Sequence, residues 1–299
     1  MMFFPWKRAL RSKSLWFSLL IMAVLGSIAA LAPRLAPHDP YQVSVSQTRR
    51  PPMWVQGRTL SGIPEFPLGT DRYGRDILSR SLYGTRTAFF LAFTAVPLAA
   101  LIGTLIGFAA GLAGRPIDAW IILFMDTVSS LPGIMFVVII VLIFRNMLTP
   151  TWFHGLLTVV VGFATISWVS LARLIRVNVL QINSQSFIEA AVALGASRRR
   201  IILQHFLPNV LHIIIVWIIN NVPAVILLEA VLGYIGVGVT SAVDGGEFSV
   251  ISWGGMFFSG RSALTSNPLM LIIPSVCILL ISMSFVLLGD FLTSVSRRE

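Results

Sequence analysis

EAAVALGASRRRIILQHFLPN occupies residues 189–209, and it is unlike the chain around it. The 299-residue chain is 56% hydrophobic and only 11% charged, whereas charged residues make up about a quarter of an ordinary soluble domain. Its mean hydropathy is +0.85. Within this apolar chain, the quoted stretch carries three consecutive arginines, a glycine and a Pro-Asn pair. Its composition is typical of a polar connection between membrane spans, with one short helix on each side of the glycine.

Apolar runs elsewhere in the chain are long enough to cross a bilayer, which takes about 20 helical residues. Six such runs predict an all-α integral membrane protein with six transmembrane helices. The predicted spans are Leu15–Ala32, Ala88–Leu112, Ala119–Phe144, Trp152–Leu171, Val210–Ile235 and Leu269–Leu292.

The polar region at residues 33–87 contains seven prolines and is predicted to be irregular. We expect residues 1–87 to comprise an N-terminal tail, the first span and this external loop. Residues 88–299 are expected to form a five-helix core, which contains a cytoplasmic loop at residues 186–209. A short interfacial helix is expected to begin at Asp76 and to end before the second span.

The distribution of basic residues favours cytoplasmic N- and C-termini, because short cytoplasmic connections carry an excess of Lys and Arg. The short outer connections hold only Arg145 and Arg261. The net charge of +10 is therefore explained by membrane topology, and no nucleic acid partner is expected. The apolar run at the N-terminus is long for a signal peptide and is followed by Pro33, which predicts a retained first span. The basic residues on the inner side are Lys7, Arg8, Arg11, Lys13, Arg115, Arg173, Arg176, Arg198, Arg199, Arg200, Arg297 and Arg298.

The loop at residues 186–209, which we call the EAA loop after its Glu-Ala-Ala triplet, predicts two short helices. Ser186 and Glu189 have the spacing of a capping box, which predicts a first helix from Phe187. Gly195 suits the left-handed residue that ends such a helix. A second helix is expected from about Ser197 to Phe206, before a break at Pro208.

The first of these helices is apolar nearly all round, so another surface is expected to cover it. Arg198, Arg199 and Arg200 lie in the first turn of the second helix, where the helix dipole disfavours cations. An outside anion is therefore expected near them, either lipid head groups or an acidic protein surface. The uncovered neighbouring helix favours a protein.

Glu189-Ala190-Ala191, followed by Gly195 and then Leu207-Pro208, resembles the EAA loop of ABC importer permeases. In that family the loop forms a coupling helix that docks in a groove of the ATPase subunit. The resemblance implies the type I ABC importer permease fold. It also implies that the residues coupling the chain to an ATPase are Glu189, Ala190, Ala191, Leu194, Gly195, Arg198, Arg199, Arg200, Leu207 and Pro208.

Other stretches are similar to the second membrane subunit of the dipeptide/oligopeptide/nickel importer group. They are His205–Asn209, Leu68–Asp71, Gly74–Asp76 and Leu232–Gly238. This resemblance implies a multi-pass protein of the cell's inner (plasma) membrane. The implied partners are a second homologous permease subunit, two ATPase subunits or domains, an external substrate-binding protein and membrane lipid.

The function that the resemblance implies is import of di- and oligopeptides by a non-catalytic membrane subunit. The lysines, Lys7 and Lys13, do not follow a Walker A loop, so ATP and magnesium are expected on separate ATPase subunits, and no cofactor or metal in this chain. Neither Gly-x-Ser-x-Gly nor His-Glu-x-x-His occurs, which argues against an intramembrane protease. Ion-coupled secondary transport, and import of nickel chelates or another small solute, remain alternatives.

Small and polar residues inside the spans complete the set of candidates. Gly103, Gly107 and Gly111 form a stripe that predicts close packing against another helix, in this chain or in a second subunit. Polar groups inside a bilayer are costly and should face protein or water. Asp126 or Asp290 is expected to pair with Arg173 or Arg176. The candidates for the translocation path or for structural polar contacts are Asp126, Asn220, Asn221 and Glu229.

Overall fold

The structure, a computed structural model, describes residues 12–57, 60–148, 155–238, 250–261, 263 and 267–296. These residues form helices joined by loops, and within them extended pairing is limited to one isolated bridge between Thr70 and Asp76. The basic residues predicted at both ends lie outside the described residues, except Lys13. The helices are α1 (Lys13–Leu35), α2 (Ile77–Leu112), α3 (Arg115–Ser130), α4 (Gly133–Leu148), α5 (Leu156–Asn183), α6 (Ser186–Ala193), α7 (Arg198–Ile201), α8 (Leu207–Tyr234), α9 (Trp253–Gly260) and α10 (Leu269–Ser296).

Five helical segments are long and apolar enough to cross a membrane, and a sixth span results if α3 and α4 are counted as one broken span. The predicted all-α membrane architecture is therefore confirmed. The predicted third span is not straight, because the helix bends by 87° between α3 and α4. Pro132 causes the break: its ring disfavours helical backbone at the preceding residue. Leu131 is accordingly extended, with φ −77° and ψ 136°.

The predicted short helix at Asp76 is continuous with the second span. Asp76 caps the 36-residue helix α2, where its side chain accepts bonds from the backbone N–H groups of Leu78 and Ser79. The first turns of α2 are buried against other segments of the chain rather than exposed at an interface. Thr87 Oγ1 donates to the Ile251 carbonyl, and Trp253 Nε1 donates to the Ser81 carbonyl at 3.1 Å. These contacts stabilise one unbroken helix.

The glycine stripe of α2 packs against α5 of the same chain. A Cβ atom added at Gly103 would lie 2.7 Å from the Trp168 carbonyl oxygen, and one at Gly107 would lie 2.8 Å from that of Ala172. At Gly111 the obstacle would be the Val179 side chain, at 2.7 Å. Because apolar groups gain nothing by leaving lipid, the close backbone contact that glycine permits provides the attraction between these helices.

Candidate functional site

The first helix of the EAA loop begins one residue earlier than the capping box predicts. Helix α6 starts at Ser186, and Gln185 holds the extended N-cap position without any side-chain capping bond. The turn that ends α5, in which Gln185 N–H donates to the Ile182 carbonyl at 3.1 Å, brings Gln185 to this position. The predicted capping box is therefore wrong, because Ser186 already has helical backbone and cannot cap the N–H of Glu189.

Gly195 ends α6 as predicted. Its φ of +81° is left-handed. Its N–H donates to the Val192 carbonyl at 2.9 Å, and the N–H of Ala196 donates to the Ala191 carbonyl at 3.0 Å. This pair of bonds is the Schellman motif. A Cβ atom at Gly195 would meet nothing within 4 Å, so the requirement for glycine here is conformational rather than steric.

The second helix of the loop does not end at Pro208. Ser197 caps α7 by accepting from the Arg200 N–H at 3.4 Å. A π-helical turn, Ile202–Phe206, then leads directly into α8. Because this wide turn lets the Leu207 N–H bond to the Ile202 carbonyl, Pro208 falls in the first turn of α8, where its missing N–H is tolerated. The arginines are thus part of a continuous helical segment, Arg198–Tyr234.

Part of the EAA loop is anchored in the core, and part of it is exposed. Ile188, Ile201 and Phe206 are buried in the core. Val192 is 58% exposed and Leu194 is 88% exposed. Within the described ranges, nothing covers this apolar surface. Further exposed residues of the loop, apolar and charged, are Phe187, Glu189, Ala190, Arg198, Arg199, Arg200 and Leu203.

The predicted pairing of a membrane acid with an arginine is present. Asp126 Oδ1 accepts from Arg173 Nη2 at 2.8 Å. Sequence reasoning missed a second pair, in which Nε and Nη2 of Arg176 each donate to one oxygen of the Asp118 carboxylate. The signal for it was the spacing, since Arg173 and Arg176 lie one turn apart on the same side of α5. Asp290 makes no ion pair with the residues that the structure describes.

The other polar candidates within the spans separate into two environments. Glu229 is only 4% exposed and accepts a bond from the Gly254 N–H at 3.3 Å, which ties α8 to α9. Asn220 and Asn221 instead line a cavity of about 300 Å³ between α5, α8 and α10. Glu229 therefore has a structural contact, whereas the two asparagines are open to a cavity.

A buried ionic cluster outside the loop was also missed. Arg75 Nε donates to Asp71 Oδ2 at 2.8 Å, and both side chains are buried. Arg80 is also buried, and its Nη1 donates to the Pro40 carbonyl at 3.1 Å. Through its bond to Pro40, Arg80 thus holds the segment that follows α1 against the start of α2.

Comparisons with known proteins agree with this architecture. The family described as "Binding-protein-dependent transport system inner membrane component" matches residues 103–298. The N-terminal TM domain of oligopeptide transport permease C matches residues 5–52. The dipeptide transport system permease protein DppC of Bacillus subtilis (strain 168) is 30% identical over 286 residues, which are 95% of this chain and 82% of that protein.

A further relative is the oligopeptide transport system permease protein OppC of Haemophilus influenzae (strain ATCC 51907 / DSM 11121 / KW20 / Rd). It is 29% identical over 95% of this chain and 84% of its own length. Among solved structures, an inward-facing conformation of the MetNI methionine ABC transporter has a TM-score of 0.52 at 17% identity, over 73% of this chain and 96% of that chain. This likeness confirms the expected type I ABC importer permease fold.

Proposed function

Since the chain belongs to the family of binding-protein-dependent transport system inner membrane components, we propose that it is one of two membrane subunits of an ATP-driven peptide importer. Peptides are the substrate class in the names of the relatives DppC and OppC. The second, homologous permease forms the other half of the translocation path. An external binding protein delivers the substrate. The chain lies in the inner membrane, and both of its termini are on the cytoplasmic side.

The observation that carries the proposal is the exposure of apolar side chains in the EAA loop. Leu194 is 88% exposed beside the Glu189-Ala190-Ala191 triplet and the left-handed Gly195. An apolar surface of this kind on a loop is typical of a protein–protein interface. An ATPase subunit docks here, and the exposed arginines Arg198–Arg200 face acidic groups on it.

The same loop explains how ATP hydrolysis moves the spans. ATP and magnesium are bound by the two ATPase subunits or domains, and this chain carries no cofactor. Closure of the ATPases displaces α6 and α7. Because α7 continues through the π-helical turn into α8, as one segment from Arg198 to Tyr234, the displacement tilts α8 and alternates access between the two sides.

The alternatives differ in what they require of the membrane interior. An ion-coupled secondary transporter would place ionisable groups near the midplane. Here Asp126 is paired with Arg173 and Glu229 is buried against α9, and the family match does not favour that function. Nickel chelates or another small solute as the substrate are outcomes that an uptake assay distinguishes from peptides.

The testing experiment is purification of the tagged chain in mild detergent from its native membrane. We expect a second permease and ATPase subunits to co-purify, with ATPase activity. Leu194→Glu should remove the ATPase subunits by placing a charge in the docked surface. Val45→Glu is the matched control, because Val45 is equally exposed, at 86%, but lies in the loop before α2. A chain that purifies alone, or equal recovery of ATPase with both variants, would contradict the proposal.

A further inference from the structure

Asn220 is a polar side chain in an unusual position. It lies at the middle of α8, the helix Leu207–Tyr234, and its side chain is exposed. An amide facing lipid at this depth would lose its hydrogen bonds to water without replacement. Asn220 is therefore expected to face water or polar groups of protein rather than lipid.

The surroundings of Asn220 form a cavity of about 300 Å³, at the lower end of the range for small-ligand sites. Polar groups from two helices meet in it: Asn220, Asn221 and His212 from α8 and Thr293 from α10. A larger cavity of about 900 Å³ lies further along α8, but aliphatic and aromatic side chains dominate its lining. The smaller cavity is the one with converging hydrogen-bonding groups.

The two asparagines are held in different ways, and both keep hydrogen-bonding capacity. Asn221 Nδ2 donates to the Trp217 carbonyl at 2.8 Å, and no donor among the described residues reaches its Oδ1. Trp217 is fixed in turn by its Nε1 bond to Ser170 Oγ, at 3.0 Å. Asn220 bonds to no described residue and occupies a notch at Gly289, where a Cβ atom would lie 2.1 Å from its Oδ1.

From this arrangement we infer that the cavity binds main-chain amide groups of an extended peptide as it crosses the membrane. The inference rests on the proposed function and names a substrate-binding site within this chain. A carboxamide side chain presents one donor group and one acceptor group, which match the C=O and N–H of a peptide bond.

The remaining lining fits a neutral peptide segment. None of the described residues lining the cavity is Asp, Glu, Lys or Arg, so the cavity suits uncharged main chain rather than charged termini. Leu174, Ile213 and Val216 provide apolar walls for side chains. Because every peptide carries main-chain amides, such a site tolerates many sequences.

Thiol labelling of the complete transporter in nanodiscs tests whether the site is open to water and peptide. In a Cys277→Ala background, Val216→Cys should react with a water-soluble maleimide, because Val216 lines the cavity and this variant keeps both asparagines. Trialanine should slow this reaction about tenfold, and trialanine with N-methylated peptide bonds should not, because it lacks the amide donors. Leu227→Cys, on the apolar stretch of α8, should stay unreactive, because a thiol in lipid does not ionise.

Two labelling results would overturn the inference. Absence of reaction at Val216→Cys, with and without ATP, would mean that the cavity faces lipid or a helix of the partner permease. Equal slowing by the N-methylated peptide would mean that main-chain amides are not what the site binds.

Transport separates failure of this inference from failure of the proposed function. In proteoliposomes with saturating binding protein, Asn220→Leu should lower trialanine uptake about tenfold, the loss expected from one or two hydrogen bonds. Asn178→Leu is the matched control, because Asn178 bonds the Leu174 carbonyl on its own helix at 2.8 Å, and it should retain uptake. If Asn220→Leu takes up trialanine at the wild-type rate, the assignment of the cavity as a peptide site is wrong, and the proposed function is unaffected. If the wild-type transporter takes up no alanine peptide, the proposed function fails and the inference falls with it.

Discussion

At the scale of single residues, glycines determine how the loop turns and where a polar side chain fits. Gly195 and Gly155 both have positive φ, +81° and +87°, with no atom within 4 Å of an added Cβ. The backbone strain of Ala at either position is about 1–2 kcal/mol. Only Gly195, however, lies in the EAA loop.

We therefore expect Gly195→Ala to lower ATP-driven uptake several-fold while the amount of inserted protein stays near wild type. Gly155→Ala carries the same strain at the start of α5 and should leave uptake unchanged. Uptake and membrane abundance of the two variants, measured side by side, check this. Equal losses of uptake would mean that general destabilisation, and not coupling, is being measured.

Gly289 offers a second test at this scale. Its added methyl group would displace the flexible end of Asn220 rather than backbone, so Gly289→Ala should fold. It should reduce peptide uptake about as much as Asn220→Leu does. Gly114→Ala is the control, because its Cβ would find open space with the nearest atom at 3.9 Å. Uptake by Gly289→Ala at the wild-type rate would show that the position of Asn220 is unimportant.

At the scale of elements, the bend at Pro132 allows α3 to cross α5. Asp118 and Asp126 are about two turns apart on α3, whereas Arg173 and Arg176 are about one turn apart on α5. The two ion pairs therefore join α3 to α5 at two separate points.

The pair of Asp118 with Arg176 should be worth about 2 kcal/mol, because it is a two-bond charged contact that is only partly exposed. Arg176→Asp should lower the melting temperature of the purified transporter by several degrees, since it places two carboxylates together. The double variant Asp118→Arg with Arg176→Asp should recover most of that loss. No recovery in the double variant would mean that the contact of Arg176 with α3 contributes little stability.

At the scale of the whole molecule, the orientation of the chain in the membrane can be tested from the side on which the EAA loop lies. Val45 and Leu194 are both highly exposed, at 86% and 88%. Three spans, α2, the α3–α4 pair and α5, separate them along the chain, which places them on opposite sides of the membrane. In a Cys277→Ala background, Val45→Cys should react with an impermeant thiol reagent applied outside intact cells. Leu194→Cys should react only after the cells are opened and the docked ATPase subunits are removed. The reverse pattern would contradict cytoplasmic termini.

The sequence by itself determined the features that depend on local chemistry. Membrane spans follow from the length and hydropathy of each run, because the bilayer penalises polar groups wherever they lie in the fold. Gly195 could be identified as a left-handed turn because its backbone preference needs no distant partner. The EAA spacing likewise predicted the loop and the family.

Only the tertiary structure decided the features that depend on which helices meet. It showed that Gly103–Gly111 pack on α5 and that Arg176 contacts Asp118. It also showed that Pro208 is accommodated by a π-helical turn, and that Asn220 opens to a cavity while Glu229 is buried. A glycine stripe, an arginine or a proline has the same local chemistry whichever helix it contacts. The choice among them is made by packing between segments far apart in the chain, which local periodicity does not contain.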